Sequence, residues 1–233
     1  METFATTLIY THAFFGGVGL ISGLLSVVVK KGQKKHKRAG IIFSYAMVLS
    51  SLISLVVACL PQHENTFLFL IGVFTIYLVL AGNNALKLKP KSKNDVHWPA
   101  KAVSGVMLGA SIIMIGVGIY GVVQQLPNTL LFIFFGGFGM FMSFKDFKTF
   151  KTYRKEKNAW LISHVGRMVG ALIASITAFI VAGLNFGTLA AWITPSVVGT
   201  LYIIYWNRKI KSKPEQLKIN EDHVLSTTAS VNV

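Results

Sequence analysis

Near the end of an apolar run, Trp160-Leu161-Ile162-Ser163-His164-Val165-Gly166-Arg167 sets an imidazole and a guanidinium three residues apart. On a helix that spacing puts both on one face, about 6 Å and about 10 Å inward from Trp160 at 1.5 Å per residue. A guanidinium inside a bilayer costs at least about 2.5–3.5 kcal/mol on insertion scales, less near an end where it can snorkel. Arg167 is therefore expected to face protein or a wet pocket. Its expected partner is Asp146, the only acid so close to an apolar run, and Asn83, Asn84 and Tyr45 sit at a depth that could complete a polar cluster. Two readings stay open. The pair could clamp helices together, or the desolvated guanidinium could bind a carboxylate or phosphate.

His36 and His164 form a second constellation: two imidazoles at the inner face could supply the axial ligands of a b-type haem or half of a metal site. His36 stands in Lys34-Lys35-His36-Lys37-Arg38, where a solvated histidine is the ordinary case. His12 lies near the outer end of the first run, a third haem or metal candidate, with only His63 and Glu64 as mates. Several chemistries have no foothold. No apolar run has a carboxylate at its middle, as an ion pump would use, and the last run has no lysine for a Schiff base. Nucleotide-cradling, zinc-protease and nucleophile-elbow motifs are missing. The chain is thus expected to be non-catalytic.

The elements that must hold these residues are membrane helices. Of 233 residues, 53% are apolar and 13% charged, a balance suited to lipid rather than water. A lone cysteine, Cys59, excludes a disulfide framework. Crossing about 30 Å of hydrocarbon takes roughly 20 apolar residues, and seven such runs are found at 8–29, 39–60, 66–86, 102–123, 128–144, 160–182 and 188–206. The fifth is the shortest and carries Gly136, Gly137 and Gly139. Every Lys and Arg except Arg167 falls after runs 1, 3, 5 and 7, and the alternate loops carry none. Basic loops stay cytoplasmic, so seven crossings are expected, with the N-terminus outside and the C-terminus inside. Met1 to Thr7 carries no base, so the first run is expected to persist in the mature protein.

The formal charge of +15 then reports topology, with anionic lipid headgroups as partners of the basic loops and no nucleic acid; a homo-oligomer stays open. Gly19-x-x-x-Gly23 and Gly105-x-x-x-Gly109 read as small-residue packing faces. Residues 1–210 form the membrane domain and 211–233 a flexible cytoplasmic tail.

Phe14-Phe15-Gly16-Gly17-Val18-Gly19 recurs as Phe134-Phe135-Gly136-Gly137-Phe138-Gly139, and Lys87-Leu88-Lys89-Pro90 as Lys211-Ser212-Lys213-Pro214. These matches suggest parallel repeats at 8–90 and 128–214 around a linking span, a three-one-three plan. That plan looks like the architecture of seven-span sugar facilitators, without their proline-bearing helices.

The chain also resembles a family of uncharacterised bacterial multi-span membrane proteins. The likeness is carried by His12 before glycines, His36-Lys37-Arg38-Ala39-Gly40, Phe138-Gly139 before Lys145-Asp146, His164-Val165-Gly166-Arg167-Met168 before Thr177-Ala178-Phe179, and Trp192-Ile193-Thr194-Pro195 through Tyr205-Trp206. The resemblance implies a bacterial inner-membrane location and marks His12, His36, Asp146, His164 and Arg167; it brings no activity. The expected fold is an all-α polytopic bundle of seven transmembrane helices. The expected function is binding or passing a small ligand at a cytoplasmic-side His/Arg/Asp cluster. A haem b electron-transfer protein and a structural or accessory subunit are the alternatives.

Overall fold

The chain is all-α in a computed structural model, which describes residues 2–89, 96, 98–127, 129–156 and 158–231, without the side chains of 189 and 212–231. Pro90, Lys91, Lys93, His97, Asn128 and Lys157 lie outside that set, as do the side chains of Ser212, Lys213, Pro214, Lys218 and His223. The described helices are α1 (Glu2–Val28), α2 (Lys34–Val57), α3 (Thr66–Ala85), α4 (Trp98–Val123), α5 (Thr129–Thr152), α6 (Ala159–Ala178) with a π turn at Phe179–Gly183, and α7 (Leu189–Val231). Six of them, α1 to α6, are long and apolar enough to cross a membrane. The protein is therefore a multi-span membrane helix bundle. α7 is apolar as far as Trp206, and its backbone stays helical to Val231 where a loose tail was expected.

The fifth run is longer than its hydropathy suggests. α5 passes Lys145 and ends at Thr152, because Phe147 and Phe150 continue an apolar face between the lysines. Asp146 thus sits inside a helix rather than at its end.

The outer turns are tight. Gln62, Gln125 and Asn185 each adopt a positive φ, at 68°, 55° and 55°, one in each of the three expected outer loops. At the end of α4 the Leu126 amide donates to the Gly121 carbonyl (2.9 Å) and the Gln125 amide to that of Val122 (3.2 Å). That is the paired closure of a left-handed helix cap, with Gln125 where glycine is favoured.

α3 is the central helix and touches α2, α4, α5 and α6. Its Leu70, Leu78 and Val79 are fully buried. α1 and α2 form one hairpin, α4 and α5 another, and α7 packs on α6. Lipid gives no hydrophobic drive to pair helices, so close approach of small residues must supply the attraction. A Cβ on Gly23 would lie 2.8 Å from Phe43 and 2.9 Å from Leu172, and one on Gly19 would meet Met47. On the other hairpin, Gly139 abuts Met107 and Ser111.

One expectation needs correction. Gly105 and Gly109 have open space in front of them, so α4 packs through Ser111, Gly118 and Gly121 instead. The two Phe-Phe-Gly-Gly copies also have different neighbours: Gly16 and Gly19 meet α2, the helix that follows, whereas Gly136 and Gly139 meet α4, the helix that precedes. The packing order does not repeat with the sequence.

Gly139→Leu is expected to unfold the α4–α5 hairpin, by more than the roughly 1–3 kcal/mol typical of overpacking. Gly105→Leu, facing open space, is expected to cost less than about 0.5 kcal/mol. Unfolding of the detergent-solubilised protein measures both; similar losses would show that the α4–α5 contact is misassigned.

Candidate functional site

Four helices bring their polar residues to one point. At 1.5 Å per residue, Tyr77 lies about 12 Å from the inner end of α3, Ser104 about 9 Å into α4, and Arg167 about 12 Å into α6. Asp146 on α5 lies about 9 Å from Thr152 on the same measure. The depths match, and the side chains meet. Arg167 Nη2 donates to Asp146 Oδ1 at 2.5 Å, and the pair is about 95% buried on both sides. The Tyr77 hydroxyl (2.6 Å) and the Ser104 hydroxyl (3.0 Å) both donate to Asp146 Oδ2. Arg167 Nη2 also donates to the Met142 carbonyl at 2.8 Å, Nη1 touches the Met142 sulfur, and the guanidinium lies 5.7 Å from the Tyr77 ring centre.

The arrangement answers the cost of burying charge. Two opposite charges in contact, each with further hydrogen bonds, are tolerated in a dry interior, whereas either alone is not. Among the described residues, Arg167 Nε and the Ser111 hydroxyl are buried without a hydrogen-bond partner. A small polar cavity of about 10 Å³ reaches Asp146 and is lined also by Asn84, Ser104, Ser163 and Phe150. That is room for about one water molecule. As it stands the cluster accepts nothing larger.

The expected members fare differently. Arg167 and Asp146 form the pair. Asn84 lines the small cavity, while the Asn83 side-chain oxygen accepts from the Ser44 hydroxyl at 3.4 Å. Tyr45 is 78% exposed on the outside of α2 and takes no part; its neighbour Ser44 faces inward instead. His164 shares the face of Arg167 but turns to α3, donating from Nδ1 to the Gly82 carbonyl at 2.9 Å. Tyr77 and Ser104 were not anticipated, and matching depth from the inner helix ends is the signal that would have found them.

The other histidines tie helices in the same manner. His36 Nδ1 donates to the Ser26 carbonyl (3.0 Å) and His12 Nδ1 to the Ser50 carbonyl (2.9 Å), with the Ser50 hydroxyl donating back to the His12 carbonyl (3.0 Å). His12 therefore pairs across the α1–α2 hairpin, not with His63 or Glu64 as expected. Among the described residues no three His, Cys, Asp or Glu side chains come together as a metal would need.

Beside the small cavity lies a second pocket of about 370 Å³, between the first turn of α4 and the last turns of α5. It is lined by Val96, Lys101, Phe147, Phe150, Lys151, Tyr153 and Arg154. Phe150 borders both spaces and stands between them. Beyond this corner, Lys31 anchors the end of α1: Nζ contacts the Val27 carbonyl and lies 5.4 Å from the Trp206 ring centre. Partial burial lowers the Lys31 ammonium below its ordinary pKa.

No protein-family model, curated protein or solved structure matches this chain. Its membrane-spanning character rests on the helices themselves.

Arg167→Met and Asp146→Leu are each expected to cost about 3–5 kcal/mol, because each strands a buried charge. The double variant is expected to recover most of that loss. Denaturant unfolding in detergent reads the cycle; additive losses would mean that the two groups do not depend on each other.

Proposed function

We propose that this is a seven-span protein of a cell membrane, N-terminus outside and C-terminus cytoplasmic, that binds a small ligand at its inner face beside the Asp146–Arg167 pair. The seventh crossing is α7 from Leu189 to Trp206, whose following bases Arg208 and Lys209 then share a side with the other basic loops. The ligand reading is carried by one observation, the 370 Å³ pocket whose inner wall, Phe150, backs onto the cavity at Asp146. Its volume falls in the range of small-molecule sites. Lys101 and Lys151 suit an anion.

The charged pair itself then has a positioning role. Lys101 stands one turn before Ser104 on α4, and Phe147 and Phe150 follow Asp146 on α5. The Ser104–Asp146 hydrogen bond fixes the separation of the two helices that wall the pocket. An anionic ligand at one hundred times its Kd is expected to stabilise the folded protein by about 2.7 kcal/mol. Thermal unfolding with a panel of soluble phosphates, carboxylates and phospholipids tests this, and a panel without any stabilising member sinks the reading.

A second reading, haem binding through His36 and His164, is favoured by their hydrogen bonds. Both spend Nδ1 on a backbone carbonyl and leave Nε2 as the free nitrogen, the arrangement used by metal-ligating imidazoles. It ranks second because, among the described residues, no histidine lines either of the two pockets. Protein purified from haem-replete cells would then show a Soret band that His36→Ala or His164→Ala removes, whereas colourless protein ends the idea.

A further inference from the structure

We propose that the pocket between the inner ends of α4 and α5 is a binding site for one anionic phospholipid, with its phosphate between Lys101 and Lys151. The inference rests on the ligand reading above and names the ligand's class. Level is the first argument. Lys101 lies in the first turn of α4 and Lys151 in the last turn of α5, so the pocket opens where a spanning helix meets the headgroup layer. Trp98, 74% exposed at the same level, is the kind of side chain that sits at that boundary.

Charge is the second argument. Lys101 and Lys151 place two ammonium groups in the described lining. The Arg154 guanidinium is steadied at the rim, with Nε donating to the Tyr153 hydroxyl at 3.0 Å and the group 5.6 Å from the Tyr153 ring centre. The first turn of α4 has no acidic residue, so its amide dipoles add to the positive field on a phosphate.

An apolar track decides for a lipid over a soluble phosphate. Phe144, Phe147 and Phe150 follow at every third residue of α5, each about 60° round the helix from the last. Phe147 and Phe150 wall the pocket, with ring centres 5.8 Å apart. Phe144, 58% exposed, carries the track one turn further towards the middle of the bilayer. A phosphate held at the lysines places its acyl chains along these rings. A soluble phosphate uses the charge and leaves the rings unpartnered.

The test uses the full chain in neutral detergent, with retention followed by native mass spectrometry and stability by thermal unfolding. The probes are phosphatidylglycerol, phosphatidylcholine and glycerol 3-phosphate, which keeps the anion and lacks the chains. Phosphatidylglycerol is expected to stay bound and raise the Tm, well above the other two. Lys101→Gln/Lys151→Gln is expected to weaken its binding by about fivefold for each lysine removed. Lys34→Gln/Lys35→Gln, which removes equal charge from another inner segment, is expected to leave binding intact.

Equal retention of the two phospholipids, or equal loss in the two double variants, would overturn the proposal. A shift with glycerol 3-phosphate as large as that with phosphatidylglycerol overturns the lipid assignment and keeps the small-ligand reading. No response to any of the three overturns the lipid site, and the wider panel then decides the ligand reading separately.

Discussion

A carboxylate out of contact with water needs its lone pairs filled, and the inner half of this bundle is arranged around that requirement. Asp146 takes Arg167 on one oxygen and Tyr77 and Ser104 on the other. Each donor comes from a different helix, so a single buried group fixes how α3, α4 and α6 approach α5. Directional bonds of this kind carry weight in a bilayer because apolar side chains are as well solvated by lipid tails as by each other. The rest of the contact surface is made by backbone proximity, through Gly19 and Gly23 of α1 against α2 and through Gly139 of α5 against α4. Serines add to it: Ser50, Ser54, Ser104, Ser111 and Ser143 are almost wholly buried.

The pair was legible because charge is rare in apolar runs, so Arg167 and Asp146 had few other mates. The helices were legible for the same reason. What could not be read was rotation. In lipid the outer face of a helix is as apolar as the inner one, so the periodicity that orients a helix in a soluble protein fades. Tyr45 is the consequence: at the right depth, yet turned outward, while Ser44 one position earlier points in. Tyr77 and Ser104 escaped notice because an aromatic and a small hydroxyl are ordinary in such helices. The two Phe-Phe-Gly-Gly segments meet different neighbours for a related reason, since glycines make a flat surface that fits a preceding helix as well as a following one.

The histidines show how one residue type can cross-link helices without charge. Each of His12, His36 and His164 donates from Nδ1 to a main-chain carbonyl across a helix contact or hairpin. The α1–α2 hairpin has such a bond near each end. α3 and α6 are joined beside Gly82, where Met168 and the Arg167 Cβ also press close. The polar layer of the inner half is therefore two adjoining clusters, an imidazole set on α1, α2, α3 and α6 and the carboxylate set on α3 to α6.

The order of residues along the chain bears on how the bundle is made. Tyr77 and Ser104 both precede Asp146, and Arg167 follows it. During synthesis two hydroxyl donors are already in the membrane when the acid emerges, and α4 and α5 can close on each other before the sixth helix leaves the ribosome. The guanidinium enters last, to a carboxylate already held in place. The arginine thus follows its counter-ion along the chain and never precedes it.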